Sequence, residues 1–300
     1  MITNTGFLNI YKQKNMTSHD VVAILRKKIG IKKIGHSGTL DPFATGVLVI
    51  GINDATRLFE YLKSDKIYIA QITFGIDTDT NDITGNLLQE SSIIPDIHDI
   101  AEKLNHFKGK IKQVPPIYSA INVNGTRAYK LARNNKIDIG DLKEREAEIY
   151  SIEVISYSKP LLTVKIHCSG GTYIRAIARD LGKALNTCAT LSSLERLQIG
   201  EHFFSTKSIS LDLIDNVNWN QLLIKPQDVL PLEKINLSQS QIKDITYGKS
   251  IPIDEIATYK TNQHLLLIDN NNNLIAIGIL TSDCIIKPVK VFPKSLQYEH

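Results

Sequence analysis

GHSGTLDPFATGVLVIG, residues 35–51, sets a polar loop punctuated by glycine directly against an aliphatic run. Val47–Ile50 reads as a buried strand, because a short unbroken apolar run bounded by turn residues fits burial on both faces. Within the loop, Asp41 precedes Pro42. The residue before a proline is held in extended backbone, so its carboxylate can be presented rather than buried. The same residues also fit a plain Asp-Pro turn with capping Ser37 and Thr39, and composition does not choose between the two. A hydrolase elbow, GxSxG, needs glycine where Thr39 stands. His36, Ser37 and Asp41 also lie too close in sequence to assemble easily as a triad.

Upstream of this run, Phe7 to Tyr11 reads as a strand, and Thr17 with Asp20 forms a capping box that opens a helix. Val21, Ile24, Leu25 and Ile29 give that helix one apolar stripe, Arg26, Lys27 and Lys28 stay partly exposed, and Gly30 ends it. Downstream, Ala55–Lys63 is read as a helix and the β-branched, aromatic Lys66–Phe74 as a strand. Pro95–Phe107 is helical in pattern, Asn124-Gly125 marks a hairpin turn, and a short helix follows near Ala128–Arg133. Strands are expected at Glu148–Ser156 and Leu161–Cys168, then an amphipathic helix from Thr172 to Leu185. Strands and helices without a regular βαβ rhythm predict an α+β fold. Past Pro226, short strands (His264–Ile268, Leu274–Leu280, Ile285–Phe292) separated by turn clusters predict a small all-β module, with a boundary near 228–235.

Composition narrows the classes. The 300 residues suggest about two domains. With 42% hydrophobic and 22% charged residues, disordered and fibrous classes are excluded. No apolar run approaches the ~18 residues of a membrane helix, and the N-terminus lacks the layout of a secretory signal. Cys168, Cys188 and Cys284 are too few and scattered for a disulfide framework, so a soluble, cytoplasmic protein is expected. Dinucleotide and P-loop signatures are absent. Asp77-Thr-Asp79-Thr-Asn81 begins like a calcium loop, but Asp82 stands where glycine is required and Leu88 where the bidentate acid belongs. The histidines show no metal-ligand spacing, so neither metal nor cofactor is expected. The net charge of +4 is unevenly spread: in residues 1–40 Asp20 is the one acid, against Lys12, Lys14, Arg26, Lys27, Lys28, Lys32 and Lys33. A second basic stretch runs from Lys103 to Lys136. This distribution fits a polyanion-binding surface and fits solvated helix faces equally well.

The run at 35–51 closely resembles the motif that carries the catalytic aspartate of TruB-type tRNA pseudouridine synthases. Further motifs follow in that family's order: Lys66-Ile67-Tyr68 for K-x-Y, Asp77–Gly85 for the acidic TDTxD loop, and Gln113–Ala120 for QVPPxYSA. Cys168–Arg175 matches C-x-x-GTYIR, and Leu194–Leu197 matches LxRL. Lys287-Pro-Val-Lys-Val291 is similar, more weakly, to a PUA-type RNA-binding module. The resemblance implies a catalytic domain over residues 1–230 with a mixed, largely antiparallel central sheet flanked by helices. It implies an all-β PUA-like domain over 231–300. The implied activity is isomerisation of uridine 55 in the TΨC arm of tRNA by a monomer without cofactor.

Carried over residue by residue, Asp41 is the expected nucleophile, Arg175 its guanidinium partner, and Tyr68 the ring packing against the target base. His36 is expected to enter the space left by flipped nucleotides, and Lys12 to lie near the pocket as a substrate-binding residue. Tyr173 and Leu194 are expected to line the pocket, and Asp82 to bond substrate or order its loop. The pattern is broken at Lys12-Gln-Lys-Asn-Met-Thr-Ser18, where the family's Pro and Gly are missing; Glu195 and Arg57 also depart from it. The other readings are an RNA-binding or RNA-folding protein of the same family in which catalysis is secondary or lost, a Ser37 hydrolase, and the related guide-RNA enzyme.

Overall fold

Ile67 to Phe74 alternates strictly, with Tyr68, Ala70, Ile72 and Phe74 buried and the residues between them half-buried, and the strand Lys66–Phe74 is the spine of a nine-stranded sheet. The structure is a computed structural model that describes residues 5–134, 136–215, 217–253 and 260–292. Parts of the N-terminal segment and of the terminal module read above, residues 1–4, 254–259 and 293–300, lie outside the described residues.

In chain order the strands of the first domain are β1 (Gly6–Lys12), β2 (Ile34–His36), β3 (Thr45–Ile52), β4 (Lys66–Phe74), β5 (Ile76–Thr78), β6 (Leu87–Glu90), β7 (Gly109–Gln113), β8 (Asn122–Val123), β9 (Thr126–Arg127), β10 (Arg145–Ser158), β11 (Leu161–Cys168), β12 (Ala189–Ile199) and β13 (Phe203–Phe204). Its α-helices include α1 (Ser18–Ile29), α2 (Ile97–Asn105), α3 (Ala128–Ala132) and α4 (Ile174–Ala184). The main path of the sheet runs β1-β3-β12-β4-β11-β10-β7, antiparallel except where β12 meets β3. The fold is therefore α+β, as the sequence pattern predicts, with the mixed, largely antiparallel sheet that the resemblance implies.

Local chemistry explains the elements. α1 carries the reciprocal Thr17–Asp20 capping box, and Gly30 closes it at φ +70°. Asn124-Gly125, both at positive φ, turns β8 into β9. The segment predicted as a helix at 55–63 is a 3₁₀ helix, Asn53–Tyr61. Beneath the sheet, α2 and α4 cover a core containing Phe74, Ile100, Leu104, Ile177, Leu181, Val164 and Ile166. Leu40, Phe43 and Ala44 of the Asp-Pro loop also enter this core, so the loop is anchored on both sides of Asp41.

A second sheet comprises β14 (Glu233–Asn236), β15 (Ile251–Pro252), β16 (His264–Ile268), β17 (Leu274–Leu280) and β18 (Ile285–Val291), in the order β14-β16-β17-β18-β15. It is preceded by α5 (Pro226–Val229) and carries one short helix, α6 (Gln239–Thr246), so this module is not purely strand. Leu266, Ile268, Leu274, Ile277 and Phe292 share one buried cluster with Phe7, Val47, Val49 and Leu58. Arg57 donates to the Val291 carbonyl and lies over the Phe292 ring, while Lys290 pairs with Glu60. The two sheets thus pack through a continuous apolar core.

Candidate active site

Between β2 and β3 the chain crosses one end of the sheet as a loop whose backbone is pinned residue by residue. The carbonyls of five consecutive residues each accept a hydrogen bond: Gly38 and Thr39 from Arg196, Leu40 from Ser18, Asp41 from the Ala44 amide, and Pro42 from Lys12 Nζ and the Asn15 amide. The Leu40 amide returns a bond to Ser18 Oγ at 2.9 Å. A loop so fully bonded has few alternative conformations for its one projecting carboxylate.

That carboxylate meets Arg175. α4 begins just after Gly171, which turns at φ +85°, and its N-cap is Tyr173, so Arg175 falls in the first turn. Arg175 Nε lies 2.9 Å from Asp41 Oδ2 and Nη2 donates to Oδ1 at 3.1 Å, a bidentate pair. Nη1 donates to the Thr80 carbonyl at 2.9 Å and lies 3.4 Å from Asp82 Oδ2, and Nη2 also reaches the Tyr118 carbonyl at 3.0 Å. The Arg175 side chain is 5% exposed and that of Asp82 6%, whereas Asp41 keeps 30% of its surface open. One guanidinium therefore joins two acids, and the accessible one is Asp41. Asp82 Oδ1 in turn accepts from Thr80 Oγ1, the Thr84 amide and Thr84 Oγ1, so it orders the loop between β5 and β6.

Tyr68 and Leu194, both buried, stand in the same cluster as Leu40 and Phe43 beside Asp41. Burial pushes the Tyr68 hydroxyl up to about 12, although the neighbouring Arg196 guanidinium opposes this. Tyr173 is half-buried, and its backbone is clasped by Gln113, whose amide accepts from the Tyr173 N–H and donates to its carbonyl. Desolvation raises the Tyr173 hydroxyl as well. His36 stands apart from the ion pair, at the end of β2, edge-on to the His19 ring at 5.2 Å. Desolvation first, and His19 second, hold its imidazole down to about 4, so it is neutral at ordinary pH and offers a ring with a single N–H.

Lys12 corrects the expectation of a substrate-binding lysine. Its side chain is fully buried, and its ammonium donates to the carbonyls of Gln13, Met16 and Pro42. All three N–H bonds are spent within the protein, so Lys12 holds the Asp41 loop against the turn before α1. Desolvation lowers it to about 8, opposed by the Asp41 charge. The broken motif beside it has a simple explanation. Asn15, where the family has glycine, sits at φ +63°, and asparagine adopts this left-handed conformation more readily than most residues. In the basic N-terminal region, Lys28 pairs with Asp215 and Lys33 with Asp54, and Arg26 donates to the Ile34 carbonyl.

Reading by residue type missed Arg196, Gln113 and Ser18. All three are buried polar side chains whose partners lie far along the chain, and the one available signal was a charged residue at an inward position of a strand. Among the described residues, no group of three His, Cys, Asp or Glu gathers to hold a metal ion, and no helix is long and apolar enough to cross a membrane.

With this geometry in hand, the relatives can be compared. Residues 26–174 match the TruB family pseudouridylate synthase (N terminal domain). The tRNA pseudouridine synthase B of Thermosipho melanesiensis is 40% identical over 91% of this chain and 90% of its own length. That of Clostridium kluyveri is 38% identical over 96% and 99%. A Cbf5-Nop10-Gar1 complex contains a chain that superposes with a TM-score of 0.74 at 24% identity, covering 100% of this chain and 89% of that one. A chain of an H/ACA RNP bound to a substrate RNA containing 2′-deoxyuridine gives 0.74 at 23%, covering 99% and 88%. At such identities the structural likeness establishes the fold. The sequence identity, sustained over nine-tenths of the chain, establishes more: this chain belongs to the TruB family of pseudouridylate synthases.

Proposed function

We propose that this protein isomerises uridine 55 in the TΨC arm of tRNA to pseudouridine, with Asp41 as the nucleophile. The observation that carries the reading is the bidentate Asp41–Arg175 pair, in which the arginine is buried and the carboxylate remains open to a ligand. The naming of close relatives as tRNA pseudouridine synthases supports the substrate class.

The reaction breaks the bond between ribose C1′ and uracil N1, rotates the base, joins C1′ to C5, and moves the C5 proton away so that N1 regains one. A transient covalent bond to Asp41 divides the difficult step in two. For this the carboxylate must stay ionised where water is scarce, and a guanidinium within hydrogen-bond distance favours the charged form. Arg175 also fixes both oxygens, so an attacking lone pair has a set direction. Tyr68 and Leu194 offer apolar surface to the uracil, and Tyr173 borders the same space. Asp82 positions Arg175 from behind.

Uridine in a folded arm is stacked and must be extruded, at a cost on the order of a few kcal/mol offset by pocket contacts. The neutral ring of His36 fits the stacking role in the vacated space, and the exposed basic side chains supply phosphate contacts. This reading assigns residues 1–230 to catalysis and 231–300 to RNA binding by a PUA-like module, and has the chain act as a cytoplasmic monomer without cofactor.

The test is Asp41→Asn, assayed separately for pseudouridine formation and for affinity to an unmodified tRNA transcript. Turnover is expected to vanish with affinity nearly unchanged. Retained turnover would remove Asp41 as nucleophile, and absence of turnover in the unaltered protein would favour an RNA-binding role instead.

A further inference from the structure

Arg196 heads the fully buried side chains by size, and it carries a charge. Arg175 and Arg179 each face a carboxylate, but Arg196 forms no ion pair among the described residues. Its guanidinium is satisfied instead by neutral oxygens. Nε donates to the Val47 carbonyl at 2.7 Å, and Nη1 to Thr39 and Nη2 to Gly38, both at 3.3 Å.

The sheet explains how one side chain reaches so many segments. β12 lies between β3 and β4, and Arg196 is the residue on β12 that pairs with Gly46 on one side and Tyr68 on the other. The approach on the β3 side is close: a Cβ on Gly46, which has φ +108°, would sit 2.2 Å from the Arg196 carbonyl oxygen. Arg196 therefore bonds the loop two and three residues ahead of Asp41 and the strand that follows that loop, and stands in register beside the tyrosine on β4.

Burying a charge without a counter-charge is costly, and an apolar side chain of similar length would fill the space without that cost. Such a replacement would leave the carbonyls of Gly38, Thr39 and Val47 without this donor. A lysine would keep the charge but lose the rigid planar fork that fixes several acceptors relative to one another. What the guanidinium alone provides is a fixed spacing between the Asp41 loop and β3, held from β12.

We propose that Arg196 is a positioning residue, tying the Asp41 loop to β3 from its place on β12 beside Tyr68, holding that loop at a fixed distance from the tyrosine and thereby setting the gap into which the nucleotide fits. This rests on the roles of Asp41 and Tyr68 proposed above.

The experiment uses the full chain with Arg196→Met and Arg196→Lys, each alone and combined with Tyr68→Phe. Folding is followed by thermal melting, affinity with an unmodified tRNA transcript, and chemistry by the single-turnover rate of pseudouridine formation. For Arg196→Met we expect affinity within about threefold of the unaltered protein and a rate lowered about 100-fold, the usual size of an effect from a misplaced reacting group. Arg196→Lys should recover about tenfold of that loss. Tyr68→Phe should cost less in the Arg196→Met background than alone, because its hydroxyl then no longer lies at a fixed distance from the Asp41 loop. An unchanged rate, a rate loss matching only the loss of folded protein, or equal costs of Tyr68→Phe in both backgrounds would overturn the proposal. If Arg196→Met does not fold, the same cycle with Arg196→Lys decides, on the same criteria. If Asp41→Asn remains active while Arg196 and Tyr68 stay coupled, the nucleophile assignment fails and the positioning role stands.

Discussion

Arg175→Lys keeps the positive charge of the site and removes its geometry, so it separates the two contributions. The guanidinium makes two bonds to Asp41, one each to the Thr80 and Tyr118 carbonyls, and a longer contact to Asp82. An ammonium has three donors that diverge, so it cannot reproduce the parallel pair to Asp41 while also reaching both carbonyls. At least two charge-assisted bonds are lost from a site whose arginine is 5% exposed, and each is worth about 1.5–3 kcal/mol. With partial relaxation, a net loss of about 3 kcal/mol of stability follows. For a chain of this size that corresponds to a fall of about 6 °C or more in melting temperature. The freed rotation of Asp41 should lower the single-turnover rate about 100-fold, read as release of tritium from C5 of labelled uridine in tRNA. In the Asp41→Asn background the same substitution should cost far less stability, since its main partner is already changed. An unchanged melting temperature and rate, or equal costs in both backgrounds, would refute the claim that the bidentate pair organises the site.

Further outcomes follow from other parts of the molecule. Gly46→Ala places a methyl group 2.2 Å from a backbone oxygen at a positive φ, and should destabilise the fold by about 3 kcal/mol or prevent soluble expression; a well-folded, fully stable variant would contradict the close β3–β12 approach. His36 titrates near 4 in the folded protein against an ordinary 6.5, so the unfolded chain takes up the proton first. Stability tied to its neutral ring is therefore present above pH 6.5 and lost as pH falls towards 4. Denaturation midpoints of His36→Gln should decline less over that window than those of the unaltered protein, and parallel declines would count against a desolvated neutral ring. Raising salt from about 50 to 200 mM should weaken tRNA binding at least tenfold if several phosphates are contacted, and a flat response would remove the phosphate argument.

Much of the site could be read directly because its chemistry is written in contiguous residues. The β-branched and aromatic residues from Lys66 to Phe74 marked that strand with its observed bounds, and the Thr17–Asp20 pair and Asn124-Gly125 marked a helix start and a hairpin turn through strictly local bonds. Asp41, Tyr68 and Arg175 were found through motif resemblance and not through period or composition, which left Asp41 open to being an ordinary turn residue. Lys12 was carried over from the motif as a substrate-binding residue, and a motif does not show where an ammonium's donors go. Its burial depends on three carbonyls, one of them 30 residues away in sequence.

The sequence by itself determined the strand and helix periods, the capping and turn chemistry, and the family motifs, all of which act over a few neighbouring residues. Tertiary structure alone decided which strands became neighbours, and with that the fate of each buried charge. Arg175 lies 134 residues from Asp41, and Arg196 lies 158 from Gly38. Whether a guanidinium is a surface group or a clamp depends on the acceptors that folding brings within about 3 Å of it. No local pattern encodes that distance, because it is set by the order in which β3, β12 and β4 lie side by side.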